Sequence, residues 1–201
     1  MFLSSIKNFN LLAKFDKMLN IKTGGLESMN YATIKYNDIA NGPGVRTSLF
    51  VSGCTHHCKG CFNEVAWDFN YGLEFTKEVM DEIVKSLEPD YITGITLLGG
   101  EPFEHVNQIG LLPLLREIKA KFPDKSIWCF SGYLFDKQIL QEMVPKWPET
   151  KEMISYIDVL VDGKFVLELK DLMLKYRGSS NQRLIDVKKS LKANEVILWE
   201  D

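Results

Sequence analysis

The stretch Cys54-Thr55-His56-His57-Cys58-Lys59-Gly60-Cys61 carries three of the four cysteines of the chain, in a C-x3-C-x2-C spacing. Three thiolates this close together can each bind one iron of a cube-shaped [4Fe–4S] cluster, because soft sulfur ligands favour iron–sulfur centres and zinc. A full cluster needs four ligands, and the remaining cysteine, Cys129, lies far along the chain. We therefore expect the fourth iron to stay open to a ligand that is not protein.

Two other interpretations of these cysteines must be weighed. A structural zinc site of the Cys3His type could take its fourth ligand from His56, His57 or His105. A disulfide scaffold is poorly supported, because four cysteines in 201 residues are sparse and no secretory signal is visible. The spacing alone favours iron–sulfur over zinc and leaves zinc open.

The surrounding sequence predicts an α/β fold. Thr47–Ser52 is an apolar first strand that delivers Cys54 to the carboxyl edge of a sheet, where α/β folds place their ligand sites. Gly53 and Gly60 bracket the cysteines, which favours a loop over a helix. Further strands are predicted over Tyr91–Leu98, Ser126–Phe130 and Ile157–Val161, with helices over Phe75–Leu87, Val106–Phe122 and Phe135–Val144.

Alternating strands and helices predict parallel βαβ units, and so few units cannot close a full barrel. We expect an open, partial (β/α) barrel with mostly parallel strands and a C-terminal hairpin formed by Leu184–Leu191 and Glu195–Trp199. Thr76 is the expected cap of the first helix. Pro113 should break or delay the second helix, and Pro145 and Pro148 should mark a loop.

Composition limits the domain organisation and the kind of partner. The 45% hydrophobic and 25% charged residues are ordinary for one globular domain, which we place at residues 29–201. Residues 1–28 are predicted to be an N-terminal extension, a possible amphipathic helix with a basic face. The net charge of −3 and dispersed basic residues predict no nucleic-acid binding. Without a long apolar run or an export signal, we expect no membrane association and a cytoplasmic location.

Four strings of sequence, taken in order, resemble one enzyme family. They are NGPGVRTSLFVSGC at 41–54, LGGEP at 98–102, VLVDGKF at 159–165 and RGSSNQ at 177–182. With the cysteine spacing, they resemble the radical S-adenosylmethionine (SAM) enzymes, and more specifically the activating enzymes of anaerobic (class III) ribonucleotide reductase. The resemblance covers roughly residues 29–183.

The resemblance implies a function. Enzymes of this kind use a reduced [4Fe–4S] cluster to cleave SAM reductively, and abstract a hydrogen atom from one glycine of the partner enzyme, which generates its glycyl radical. The implied cofactors are the cluster and SAM, and the implied activity is that of an oxidoreductase. The implied partners are the large subunit of the anaerobic reductase and a flavodoxin- or ferredoxin-like electron donor.

The resemblance also assigns roles to residues. Cys54, Cys58 and Cys61 would hold the cluster as the catalytic and metal-binding set. Cofactor-binding roles toward SAM would fall to Gly60, Cys61, Phe62, Gly99, Gly100, Glu101, Asp162, Lys164 and Asn181, with Arg177 as a further candidate. Phe62 could instead be a core aromatic, and Asp162-Gly163 a simple turn. Cys129 is expected to be a buried structural cysteine, Trp67 core packing, and His56 and His57 solvated loop residues.

Two rival functions remain at this stage. The chain could activate pyruvate formate-lyase or another glycyl-radical enzyme, although only Cys129 is left for the additional ferredoxin-like module that some of those activators carry. A rival of another class is a zinc-binding adaptor without catalysis.

Overall fold

The computed structural model describes residues 28–200. The predicted N-terminal extension over 1–28 lies, apart from Ser28, outside the described residues. The strands are β1 Asn30–Asp38, β2 Val45–Val51, β3 Leu73–Glu74, β4 Ile92–Gly99, β5 Ser126–Phe130, β6 Val159–Asp162 and β7 Arg183–Asp186. The α-helices are α1 Lys77–Ser86, α2 His105–Lys121, α3 Pro148–Tyr156 and α4 Val187–Ala193, with one further turn at Val144–Lys146.

All seven strands form one mixed sheet in the order β3-β1-β2-β4-β5-β6-β7. The four central strands, β2, β4, β5 and β6, run parallel to one another, whereas β1, β3 and β7 are antiparallel additions at the two sides. The two edge strands, β3 and β7, do not pair, so the sheet is open. The predicted α/β class and open, partial barrel are confirmed.

The helices cover the outer face of the sheet. Helix α2 buries Leu111, Leu114 and Leu115 in the main core, and α1 and α3 contribute Ile83 and Met153. Alternate residues along a strand point to opposite faces, so the inner face carries a different set of side chains. That inner set is aromatic and aliphatic: Trp128, Val159 and Val161, with Phe130, Tyr176, Leu184 and Trp199 packed against them.

Arg46 closes the barrel at the amino ends of the parallel strands. Its side chain is fully buried and donates from Nε to Thr96 Oγ1 at 2.8 Å and from the guanidinium to Ile95 O at 2.8 Å and Ser126 O at 2.9 Å. The guanidinium also lies over the Trp128 ring, 5.7 Å from its centroid. We call this region, built around Arg46 and Trp128, the closed end, and the carboxyl ends of the strands the open end.

The predicted break at Pro113 is wrong. Helix α2 runs without interruption from His105 to Lys121 with Pro113 inside it. Proline removes one backbone hydrogen bond and crowds the preceding turn. Leu112 and Leu114, on either side of it, are buried in the core, so packing offsets this cost.

The proline-marked loop is also wrong. Pro148 is the first residue of helix α3, where a missing N–H costs nothing because that group has no partner within the helix. Pro145 lies within the one-turn helix before it. The helix predicted over Phe135–Val144 is π-helical over Phe135–Met143, and Ile139 N donates to Leu134 O at 3.0 Å. Thr76 precedes α1 as expected, but its side chain makes no capping hydrogen bond.

The C-terminal segment departs from the predicted hairpin. β7 is followed directly by helix α4, which Asp186 caps by accepting a hydrogen bond from Lys189 N at 3.0 Å. The chain then returns to β7 through an isolated antiparallel bridge between Ile185 and Leu198. A side-chain cap at Asp186 therefore outweighs the weak alternation on which the prediction rested. Within residues 28–200, no helix combines the length and apolar character needed to cross a bilayer.

Candidate iron–sulfur site

The cysteine loop, Cys54–Cys61, leaves the carboxyl end of β2 and contains no helix or strand. Two backbone hydrogen bonds fix its start: Gly53 N donates to Ala66 O at 2.9 Å, and Cys54 N to Trp67 O at 3.1 Å. All four cysteines are free thiols. Cys54 is buried, and Cys58 and Cys61 are half-buried, so the predicted loop delivers the three sulfurs to the open end.

Backbone N–H groups point at each of the three thiols. Cys61 Sγ accepts from Asn63 N at 3.4 Å. Burial raises the pKa of Cys54 to about 11, against the backbone N–H groups of His56 and His57, which lower it. Burial also raises the pKa of Cys58, partly offset by the N–H of Phe165. Backbone N–H donors stabilise the negative charge of a cysteine sulfur that has lost its proton to bind a metal. They are typically found around the cysteine ligands of iron–sulfur clusters.

The end of β4 approaches the cysteine loop closely at Gly100. A Cβ at Gly100 would lie 2.5 Å from Gly53 O and 3.0 Å from Ala66 O, so only glycine fits. Gly100 N donates to Val51 O at 2.7 Å, and Glu101 N donates to Gly53 O at 2.8 Å. The Gly-Gly-Glu turn is thereby held against the start of the cysteine loop.

Glu101 joins three segments of the open end. Its carboxylate is buried and accepts from His56 Nε2 at 2.9 Å, Ser131 Oγ at 2.9 Å and Gly132 N at 2.7 Å. It also accepts from Phe103 N at 2.8 Å. These donors come from the cysteine loop, from the exit of β5 and from the turn after β4. The carboxylate of Glu101 is therefore already satisfied by protein groups.

A cavity of about 440 Å³ opens at this end of the barrel, within the size range of small-molecule sites. The three cysteines line it together with Gly99, Gly100 and Glu101. Its other walls come from two later segments, the exit of β5 and the connection between β6 and β7. Residues of these walls include Phe130, Ser131, Gly132, Gly163, Phe165, Leu172, Tyr176, Arg177 and Gln182.

The residues present fit a thiolate-bound cluster with a small-molecule ligand. Three sulfur donors share one cavity, and soft sulfur is what iron–sulfur clusters require. Trp67 also lines the cavity, and its indole Nε1 is buried with no hydrogen-bond partner among the described residues. Within residues 28–200, no three His, Cys, Asp or Glu side chains already converge on a single ion position.

Comparison with known proteins identifies the family to which the chain belongs. A family model described as "4Fe-4S single cluster domain" matches residues 40–185. A protein of Escherichia coli is 44% identical over 156 residues, which cover 77% of this chain and 96% of the relative. It bears the name anaerobic ribonucleoside-triphosphate reductase-activating protein, as do relatives from Haemophilus influenzae (42% identical over 156 residues; 77% and 96% covered) and Enterobacteria phage T4 (41% over 158 residues; 78% and 93% covered). The chain belongs to this family of activating proteins.

Most of the residues that the sequence assigns to the site line the cavity in this member of the activating-protein family. They are Cys54, Cys58, Gly60, Cys61, Phe62, Gly99, Gly100, Glu101 and Arg177. Phe62 lies at the mouth with 81% of its side chain exposed, so it is not a core aromatic.

Asp162, Lys164 and Asn181 lie outside the cavity lining. The carboxylate of Asp162 is fully buried and accepts from Arg183 Nε at 2.9 Å and Phe135 N at 2.8 Å, which is a structural arrangement. Asn181 is exposed and donates to Lys164 O at 2.9 Å. The geometry therefore gives no support to direct cofactor contacts by Asp162 and Asn181. Burial raises the pKa of the Cys58 thiol and the positive charge of Lys164 acts to lower it, so the cofactor role of Lys164 stays a prediction.

The histidines differ from the sequence interpretation in one case. His56 is not solvated: its side chain is 6% exposed and bonded to Glu101. His57 is exposed as expected and stacks on Trp67, with ring centroids 4.6 Å apart. His105 stacks on Trp147 and does not line the cavity. Trp67 is a cavity wall as well as a packing residue. Cys129 is completely buried and away from the lining, as predicted.

Sequence reasoning missed Ser131 and Gly132. They follow β5 directly, and the carboxyl ends of neighbouring parallel strands meet at one edge of a sheet. That positional signal could have identified them. The bond between His56 and Glu101 had no such signal, because it depends on how the cysteine loop folds back.

Proposed function

We propose that this chain activates an anaerobic ribonucleoside-triphosphate reductase as a radical SAM enzyme. Cys54, Cys58 and Cys61 would hold a [4Fe–4S] cluster whose remaining iron is open to SAM. The observation that carries the proposal is the meeting of these three thiols with the Gly99-Gly100-Glu101 turn in one cavity. The names of the relatives, which act on this reductase, support the same function over pyruvate formate-lyase.

When bound, the cluster would supply one electron for the reductive cleavage of SAM. SAM would leave as methionine and as 5′-deoxyadenosine, which carries the hydrogen atom taken from a glycine of the reductase and so leaves the radical on that glycine. The protein residues bind and orient. The backbone of the Gly-Gly-Glu turn would accept hydrogen bonds from the amino group of SAM, since the Glu101 carboxylate is satisfied by other donors.

Apolar side chains would keep water away from the reacting groups. Phe130, Phe165 and Tyr176 line the cavity together with the cysteines. A dry cavity protects a reactive carbon radical from quenching by surrounding groups and strengthens the electrostatic contacts made there. We also propose that the protein acts in the cytoplasm and receives the electron from a flavodoxin- or ferredoxin-like protein.

The test is direct. The protein is reconstituted with iron and sulfide without oxygen, reduced, and mixed with SAM and the anaerobic reductase encoded in the same genome. We expect an electron paramagnetic resonance signal of a glycyl radical on the reductase that requires SAM. A signal on pyruvate formate-lyase instead would assign the chain to the rival branch, and the absence of 5′-deoxyadenosine would favour a zinc-binding adaptor.

A further inference from the structure

The connection between β6 and β7 forms an ordered arm, residues 165–180, beside the cavity. Its two halves pair through an antiparallel bridge between Lys170 and Ser179. Ser180 N donates to Leu169 O at 2.9 Å, and Asp171 N donates to Gly178 O at 3.2 Å. The arm is therefore a short hairpin-like projection with its own backbone hydrogen bonds.

The RGSSNQ string at 177–182 holds this arm in place. Gln182 Oε1 accepts from Gly178 N at 2.9 Å and Ser179 N at 3.1 Å, and its Nε2 donates to Gly163 O at 3.0 Å. Ser179 is fully buried, and its hydroxyl accepts from Val166 N at 3.2 Å. Arg177 donates to Gln182 O at 2.6 Å. These polar side chains hold the two halves of the arm together, which gives the RGSSNQ string a structural role.

Tyr176 packs the arm against the barrel. Its ring meets Trp128 edge-on, with centroids 5.4 Å apart, and its backbone has a φ of +55°, which bulky residues rarely adopt. Opposite the arm is the cysteine loop, where a Cβ on Gly60 would come 3.0 Å from the Leu167 side chain. The arm thus stands at the mouth of the cavity, next to the cysteines.

Three apolar side chains project from this mouth into solvent. Phe62, Leu172 and Met173 are 81%, 86% and 88% exposed, the highest fractions among the large hydrophobic residues of 28–200. Phe62 and Leu172 also line the cavity, so the exposed surface is continuous with it. We call these three residues the apolar rim. Clustered apolar exposure on a rigid support is typical of protein interaction sites.

We propose that the apolar rim is the docking surface for the reductase, with the arm as its rigid support. This inference rests on the proposed function. A folded partner cannot enter a cavity of about 440 Å³, so only a glycine-bearing loop can reach inside while the rest of the partner rests on the rim. A preordered arm lowers the entropy lost on binding, and apolar side chains at the centre of a contact contribute most of the affinity.

The experiment compares two matched substitutions of exposed apolar residues. Met173→Glu places a charge on the rim. Tyr91→Glu places the same charge on a residue that is 62% exposed and directly precedes β4, at the opposite end of the barrel. Neither side chain lines the cavity. The dissociation constant of each reconstituted variant for the reductase is measured without oxygen in the presence of SAM, and Leu172→Ser is a second rim variant.

We expect Met173→Glu to weaken reductase binding at least about tenfold and Tyr91→Glu to change it less than about twofold. SAM cleavage by the reductant alone, without reductase, should stay at the unaltered level in both. Equal binding by the Met173→Glu, Leu172→Ser and unaltered chains would overturn the inference, as would equal weakening by the Tyr91→Glu control. If the unaltered chain cleaves SAM but does not bind or activate the reductase, the proposed partner itself is wrong.

Discussion

The two ends of the barrel differ in what their ionisable side chains face. At the closed end, the guanidinium of Arg46 is fully buried, and protein oxygens of Thr96, Ile95 and Ser126 accept its hydrogen bonds. At the open end, the carboxylate of Glu101 is likewise satisfied by protein donors, but the three cysteines line a cavity. The closed end is complete as protein, whereas the open end is arranged to be completed by a bound group.

This difference between the two ends implies that the start of strand β2 serves stability and its end serves function. β2 carries Arg46 near its start and leads to Cys54 just after its end. Changes near its start should lower the free energy of unfolding, and changes near its end should lower cofactor binding. The following predictions test this separation, in decreasing order of expected effect.

Removal of a cysteine at the open end should have the largest effect. Replacing Cys54, Cys58 or Cys61 by Ala removes one of the three proposed cluster ligands, and we expect each change to reduce SAM cleavage below detection. The matched control is Cys129→Ala, which lies fully buried on β5 and should retain the cluster. Iron content measures the retention of the cluster, and 5′-deoxyadenosine formation measures SAM cleavage, in the variants and in the control. A Cys129→Ala protein without cluster would contradict the assignment of ligands.

At the closed end, Arg46→Met should destabilise the fold by about 3–5 kcal/mol, because buried oxygens lose a charged donor and keep no substitute. Urea unfolding of the cluster-free protein measures the change. The control is Arg116→Met, whose exposed pair with Glu152 should contribute only about 0–1 kcal/mol. Similar losses for the two arginines would show that the closed end is not the stabilising region that the comparison requires.

At the open end, Glu101→Gln should disturb the site more than the fold. Glutamine offers one acceptor oxygen where His56, Phe103, Ser131 and Gly132 all donate to the carboxylate, so some donors lose their partner. We expect a loss of about 1–3 kcal/mol in stability and a weakening of SAM binding of about tenfold. Equilibrium dialysis of the reconstituted protein with SAM provides the measurement.

Glu104→Gln is the matched control for this change. Glu104 accepts from Thr55 N at 2.9 Å and Thr55 Oγ1 at 2.5 Å through a single oxygen, at the exposed side of the cysteine loop. An amide oxygen can replace that acceptor, so SAM affinity should stay within about twofold of the unaltered value. If Glu101→Gln binds SAM as well as Glu104→Gln does, the anchoring role of Glu101 is refuted.

The smallest expected effect is on how the free energy of unfolding of the cluster-free protein depends on pH. Burial raises the pKa of Cys54 from 9.0 to about 11. Between these values the unfolded chain releases the proton while the folded chain keeps it, so the free energy of unfolding falls as the pH rises from 9 to 11. Cys54→Ala should reduce this slope in urea unfolding, although burial also raises the pKa of Cys58 and Cys129. An unchanged slope would contradict the burial effect at Cys54.

Asp158 at the closed end titrates on the acid side. Burial alone would raise the pKa of its carboxyl, but ion pairs with Lys188 and Lys119 and a bond from Ile127 N lower it below 3.8. This contribution is present above pH 3.8 and is lost as the pH falls through the lowered value. Asp158→Asn should therefore reduce the fall in the free energy of unfolding on the acid side, measured by urea unfolding at a series of pH values, and leave the alkaline side unchanged.

The sequence predicted the open end better than the closed end. Binding of a cluster requires closely spaced cysteines, and a strand followed by glycine places them at a sheet edge, so the position of Cys54, Cys58, Cys61 and Gly100 at the open end could be predicted. The closed end depends on register. Arg46 is paired with Thr96 and Ser126, which are 50 and 80 positions away, and no local pattern shows this.

The same reasoning explains the incorrect predictions. Pro113 and Pro148 were interpreted from local rules, whereas burial of neighbouring leucines and position at a helix start decide their structure. Asp162-Gly163-Lys164 follows a strand at the open edge, so its position predicts a cofactor contact. The carboxylate of Asp162 accepts from Arg183, a pairing that only the antiparallel β6–β7 register creates. The predicted contact of Lys164 with the cofactor stays a prediction.

The central claim is that three thiols hold a [4Fe–4S] cluster with one iron open to SAM. The most direct measurement is electron paramagnetic resonance of the reduced, oxygen-free reconstituted protein before and after addition of SAM, together with iron, sulfide and zinc analysis. We predict iron and sulfide in equal amounts and a spectrum that changes when SAM binds. A zinc-containing protein without sulfide, or a cluster whose spectrum SAM leaves unchanged, would contradict the account.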